Sequence, residues 1–176
     1  MKTQRGNKLL SGVMAGVMWV LCLLLPAGCG YSSKQLFPRE YRTVAVPILA
    51  NRTFYRGVEF DLTEALVKEI ESRTPYKVVA EAGADTIVRG TVVSVSQRTL
   101  STTREGGLSE EMEVRITIDF EWRQARTGAV LKQRQGFEAV GRYLPARGVG
   151  EPFSVAQHEA VQRLAQDIVS SFRSDW

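Results

Sequence analysis

The stretch ending at Trp122 constrains this chain most. Met112, Val114, Ile116, Ile118, Phe120 and Trp122 alternate without a break against Glu111, Glu113, Arg115, Thr117, Asp119 and Glu121. A period of two is a β-strand. With one face apolar and the other charged or polar, the sheet it belongs to is covered on one side only. Residues 86–98, β-branched throughout, form its long hairpin partner, with Ile87, Thr91, Val93 and Val95 on one side. Thr127-Gly128 turns the chain into a further strand over residues 129–140.

The cover for the apolar face comes from two helical stripes. Leu62, Ala65, Leu66 and Ile70 recur at helical spacing, with Glu64, Lys68 and Glu71 opposite. Pro75 ends that helix, since proline disfavours helical geometry in the residue before it. Val161, Leu164, Ala165, Ile168 and Phe172 make the second stripe, and Ser154-Val155-Ala156-Gln157 fits a capping box at its start. Thr43-Val44-Ala45-Val46-Pro47-Ile48 and residues 76–80 read as short strands, with Pro47 placing the first near an edge or ending it early. Residues 51–57 and 81–85 are connections, and residues 141–152 are a Gly/Pro-rich loop carrying Arg142 and Arg147. The expected fold is α+β, in the order β-α-β-β-β-β-α. Two helices pack on one face of a mostly antiparallel sheet of four to five strands, leaving the second face polar.

The first 28 residues are of another kind. Lys2, Arg5 and Lys8 precede a run over residues 9–25 in which only Ser11 is polar, and Pro26-Ala27-Gly28-Cys29 follows. The run is short for a membrane span, which takes about 20 apolar residues, and it matches a secretory signal peptide. With a cysteine directly after Ala27-Gly28, it resembles a bacterial lipoprotein signal, although Pro26 stands where Leu is usual. Leu21 and Val20 disqualify Cys22 from the same role. The resemblance implies cleavage before Cys29 and acylation of Cys29 by chains such as palmitate, a durable anchor when several are attached. Gly30, rather than Asp, after the cysteine points to the outer membrane. The organisation expected is a signal over residues 1–28, a lipidated tether over 29–41 and a single domain over 42–176. Its core must suffice without a disulfide, because Cys22 and Cys29 are the only cysteines.

The chain carries 23 Lys+Arg against 19 Asp+Glu. Setting the first 28 residues aside leaves 20 against 19, so no globally basic nucleic-acid binder remains. Asn51-Arg52-Thr53-Phe54-Tyr55-Arg56 mixes basic and aromatic residues as a single-strand binder would, but export makes nucleic acid an improbable partner. Asn51-Arg52-Thr53 also spells a glycosylation acceptor, a coincidence in a bacterial lipoprotein. No nucleophile elbow, phosphate loop or dinucleotide fingerprint occurs. His158, the sole histidine, falls on a helix flank, and Glu111 and Glu113 point to solvent rather than into a cleft that would separate two carboxylate pKa values. The expectation is a protein that is not an enzyme, with no metal and no cofactor beyond the lipid on Cys29.

Taken together, Ala27-Gly28-Cys29-Gly30-Tyr31, the Val44-Ala45-Val46-Pro47 strand, the helix over residues 62–73, the hairpin of 86–98 with 112–122 and the helix over 154–172 resemble the LPS-assembly lipoprotein LptE family, in its more divergent form. The resemblance implies a plug in the lumen of the outer-membrane barrel LptD, assisting barrel assembly and lipopolysaccharide transport from the periplasmic face. It also implies lipopolysaccharide contacts by a basic residue in the hairpin turn, here Arg104 with Glu105 beside it, and by one in the loop before the last helix, here Arg147. Residues 44–53 also look like lipoproteins of the CsgG and LpoB type, which serve secretion pores or peptidoglycan synthases. A long, one-sided hairpin favours the barrel plug over that alternative.

Overall fold

The computed structural model describes residues 37–102, 109–145 and 153–173. The chain runs through β1 (Thr43–Ala45), β2 (Ala50–Asn51), α1 (Val58–Arg73), β3 (Lys77–Val78), a 3-10 turn (Glu81–Gly83), β4 (Thr86–Thr102), β5 (Ser109–Gln124), β6 (Val130–Tyr143) and α2 (Phe153–Ser170). The six-stranded sheet has the order β3-β1-β4-β5-β6, with β2 also on β4. It is an α+β fold in roughly the expected order, but the first strand ends at Ala45, before Pro47, and a short added strand, β2, follows. The sheet is mixed rather than purely antiparallel. β4, β5 and β6 are antiparallel neighbours, whereas β1 and β2 run parallel to β4 and β3 runs parallel to β1. The parallel half follows from α1, which carries the chain back along the sheet between β1 and β3, the ordinary way to join parallel strands.

Both helices lie on the apolar face. Val114, Ile116, Ile118, Phe120 and Trp122 of β5 are buried in one core with α1 and α2, as the alternation predicts. The phase expected for β4 is corrected: Val88 and Val92 enter the core, while Ile87 and Thr91 belong to the other face. A bulge between Val92 and Ser94 then inserts one residue, which turns Val95 back onto the core side. Alternation read from Ile87 straight through to Val95 therefore crosses a register change.

Helix α1 begins four residues before the first expected position. Gly57, at φ +97°, makes the left-handed entry, and its carbonyl accepts from the N–H of Asp61. At the other end Thr74 is extended, as the following Pro75 requires, and both its N–H and its hydroxyl donate to the Ile70 carbonyl. The capping box expected at Ser154 does not form the start of α2, which already includes Phe153. The Gln157 amide donates instead to Asp61 of α1 at 3.2 Å, tying the two helix starts together.

Strand β6 runs three residues past the expected end, through Gly141 to Tyr143. A Cβ at Gly141 would lie 1.9 Å from the Ala156 carbonyl oxygen, so the α2 backbone rests directly on the strand backbone there. Glu159 of α2 reaches the strand edge and accepts from the Arg142 N–H at 2.9 Å. The uncovered face carries ion pairs: Arg115 with Glu113 and Glu138 at 3.0 Å each, Arg123 with Glu121 at 3.4 Å, and Arg142 with Glu111 at 3.7 Å. Asp119 accepts the Gly136 N–H at 2.8 Å where a second bulge interrupts β6.

The molecule has two distinct ends. At one, where the chain enters at Phe37, Trp122 stacks on Phe172 with ring centroids 4.5 Å apart, and Tyr41 and Tyr76 pack around them. At the other, β4 ends, β5 begins, and both helices start.

Candidate functional site

Three residues carried the site expectation: Cys29, Arg104 and Arg147. All three lie outside the described residues. The described residues that flank the two arginines do converge. Thr102 pairs with Ser109 across the hairpin, and Tyr143 pairs with Met112 while its ring meets Phe153 edge-on at 6.4 Å. His158 is exposed on α2, as its flank position predicts. Glu113, expected in solvent, is buried on the open face and ion-paired with Arg115.

The hairpin end is built on an aromatic collar. Tyr55 stacks on Phe153 at 5.6 Å, and Gln97 of β4 donates to the Tyr55 hydroxyl and accepts from the Tyr143 hydroxyl, both at 3.3 Å. On this collar sits the loop between β2 and α1. The Asn51 amide donates to the Tyr55 carbonyl at 2.8 Å and to the Glu59 carboxylate at 2.7 Å. Its carbonyl oxygen accepts from both the N–H and the hydroxyl of Thr53 at 2.8 Å. Tyr55 N–H donates to the Thr53 hydroxyl at 3.2 Å, and Gly57 N–H donates to Glu59 at 3.1 Å. Hydrogen bonds from the Glu59 backbone, then from Asn51 and the Gly57 N–H, together with the nearby Arg56 charge, hold the Glu59 carboxyl below the usual carboxylate range.

This network turns Asn51, Thr53 and Tyr55 inward and sends Arg52, Phe54 and Arg56 outward. Phe54 is 100% exposed, and Phe60 in the first turn of α1 is 56% exposed. Leu100 of β4, Leu144 just after β6 and Val155 in the first turn of α2 are exposed at the same end. Five of the seven exposed large apolar side chains among the described residues thus gather there, the others being Ile48 and Val130. Their shared end makes this the candidate interaction surface among the described residues. The basic-aromatic run is legible in the sequence; which of its members face out is not. The Asn51-x-Thr53 spacing, a signal for a side-chain-capped turn, is the clue that bears on it.

The open face holds a groove of about 540 Å³ bordered by Pro47, Ile48, Arg89, Thr91, Asp119 and Glu121. Arg89 is paired there with Glu81 and Glu121 with Arg123, Asp119 accepts the Gly136 N–H, and Arg134 lies over the Phe137 ring at 5.7 Å. Among the described residues no group of His, Cys, Asp or Glu is arranged to hold a metal ion, and no helix is long and apolar enough to cross a membrane.

These features define a small two-layer α+β module with a one-sided sheet, a long central hairpin and an apolar-basic end. Solved structures share the architecture. The PelC dodecamer from Paraburkholderia phytofirmans superposes with TM-score 0.51 at 15% identity, covering 78% of this chain and 93% of that one. Uncharacterized lipoprotein B from Nitrosomonas europaea gives TM-score 0.50 at 18% identity, covering 82% and 90%. A hypothetical protein from Chlamydia trachomatis gives 0.50 at 10% identity, covering 74% and 95%. At such identities the likeness is one of fold. Comparison with curated protein sequences finds no match. The family model for lipopolysaccharide assembly, LptE, matches residues 41–172, and the chain belongs to that family.

Proposed function

We propose that this protein is an outer-membrane lipoprotein, acylated at Cys29 and held at the periplasmic face, that seats in an LptD-type β-barrel and assists lipopolysaccharide transport without catalysing a reaction. Family membership over residues 41–172 is the observation that carries the reading. The geometry supports the barrel in particular. β4 and β5 form one long hairpin, and the sheet face away from the helices is polar and ion-paired, which suits the water-filled interior of a large barrel. That hairpin favours the barrel over a CsgG- or LpoB-like role in a secretion pore or with a peptidoglycan synthase. Arg104 and Arg147 remain the proposed lipopolysaccharide contacts, each offering a charge-assisted hydrogen bond to phosphate.

The test is purification of the tagged full-length chain from detergent-solubilised outer membranes, with co-purifying proteins identified by mass. A stoichiometric LptD-type barrel is expected. Recovery with a peptidoglycan synthase or a secretion pore would replace this reading with the alternative. Separately, Arg104→Glu is expected to weaken lipopolysaccharide binding by the purified protein; unchanged binding would remove Arg104 from the site and leave the barrel role standing.

A further inference from the structure

We infer that the loop carrying Arg52, Phe54 and Arg56 is a preformed knob for a protein partner, one that offers an apolar pocket rimmed by carboxylates. The knob rests on the barrel reading above, which supplies the partner, and adds a contact point to it.

Three observations converge on this loop. The first is cost. A phenylalanine left wholly in water forgoes roughly 1.5–3 kcal/mol of available burial. Phe54 is nonetheless held there by a backbone whose conformation is set by Asn51, Thr53 and Glu59. A flexible loop would let the ring fold back onto the collar formed by Tyr55 and Phe153; this one does not. Pre-organisation of this kind removes the ordering cost of association.

The second is shape and chemistry. Phe54 stands out from the surface rather than lining a cavity, and a projecting ring encloses no small molecule, since small-molecule sites are concave. Its complement is a pocket on something larger. Arginine beside an aromatic ring is the composition of an interface hot spot. Arg52 and Arg56 are exposed on either side of the ring in sequence, so the matching rim is acidic.

The third is position. Phe54 follows Arg52, whose N–H donates to the Val92 carbonyl roughly 20 Å along β4 from Thr86, and the Tyr55 hydroxyl reaches further on to Gln97. The chain enters at the opposite end, where Phe37 packs on Tyr76 and the Pro38 carbonyl accepts from the Tyr76 hydroxyl. The knob therefore lies well along the sheet from the point where the chain joins the domain. That separation favours a protein over the surface of the anchoring membrane.

The experiment co-expresses the tagged full-length chain with the LptD-type barrel of the same organism and measures the barrel recovered per chain. For the wild type, Phe54→Trp and Val130→Ser, an exposed apolar residue outside this end, near-stoichiometric recovery is expected. Phe54→Ser is expected to lower recovery tenfold or more, and Arg52→Glu severalfold. Because Phe54 touches no core residue, thermal unfolding of Phe54→Ser should match the wild type, which separates lost docking from lost folding. Equal recovery for wild type and Phe54→Ser overturns the knob while the barrel reading stands. No barrel with the wild type overturns the barrel reading and the knob with it. Undiminished barrel recovery by Phe54→Ser, with lost binding to lipid A-containing vesicles, makes the loop a lipid contact and overturns the knob as well.

Discussion

Gly141 is the position where one methyl group should do the most damage. Its substituent would meet the Ala156 carbonyl oxygen at 1.9 Å, the Ala156 carbonyl carbon at 2.8 Å and the Ala160 nitrogen at 3.0 Å. Ordinary carbon–oxygen contacts lie above about 3.2 Å, so α2 must lift by more than 1 Å, and these obstacles are backbone atoms that no rotamer change can move aside. Lifting α2 opens a gap beneath the face that buries Ala156, Ala160, Val161, Leu164 and Ile168. A radial gap of 0.5–1 Å already forfeits roughly a quarter to a half of the dispersion well at each contact. Overpacking typically costs about 1–3 kcal/mol, and a backbone obstacle puts Gly141→Ala at or above the top of that range. The alanine also trims the entropy of the unfolded chain, an offset of about 0.4–1 kcal/mol. A net loss of about 2–3 kcal/mol follows, or about 5–10 °C in the melting temperature for a domain of this size. Gly83→Ala is the control, because a Cβ there meets nothing within 4 Å. Circular dichroism melts of the two variants and the wild type give the comparison. If Gly141→Ala melts with Gly83→Ala, α2 does not rest on β6 as described.

Phe172→Ala should cost about 3–5 kcal/mol by the usual measure for a buried ring, and red-shift Trp122 emission as the stacked neighbour at 4.5 Å is lost; denaturant unfolding followed by fluorescence checks both. The Tyr76 phenol, pushed up to about 12 chiefly by burial and then by Tyr41, should stay protonated well past a tyrosine's ordinary 10.0. Its folded value lies above its unfolded one, so its contribution is full below pH 10 and lost as pH rises towards 12; the tyrosinate absorbance difference between wild type and Tyr76→Phe would show it. Asp85 behaves in the opposite sense. Its carboxylate accepts from the N–H groups of Arg42 at 2.9 Å and Thr43 at 3.0 Å, the Arg42 bond being the main cause that holds it below its ordinary 3.8. That stabilisation is present above pH 3.8 and lost as pH falls through the lowered value, so Asp85→Asn should flatten the acid limb of a stability–pH profile.

Much of this protein could be read directly from residue order. The alternation ending at Trp122 and the two helical stripes determined a two-layer fold with both helices on one face, because period and amphipathicity are local properties that each segment carries with it. Pro75 marked the end of α1 for the same reason. What depended on the partner of each segment was not legible. The parallel pairing of β1, β2 and β3 depends on where α1 returns the chain, and the bulge after Val92 appears only once β4 is set against β5. Gly141 shows the limit most plainly. In a Gly/Pro-rich stretch it reads as loop, yet it is a strand residue that is small because a helix backbone lands on it.

The candidate site divides in the same way. Sequence alone singled out the mixture of Arg52, Phe54, Tyr55 and Arg56, and it placed the Arg104 and Arg147 segments at either end of long elements. Only the tertiary structure decided that Tyr55 turns inward onto Phe153 while Phe54 is left in water, and that the starts of α1 and α2 meet beside it at the hairpin end. The physical reason is that hydrophobic pattern is written along the chain, whereas exposure is a property of what packs against it. Asn51 can hold Phe54 outward only because Glu59, in the first turn of α1, is folded back within hydrogen-bond reach.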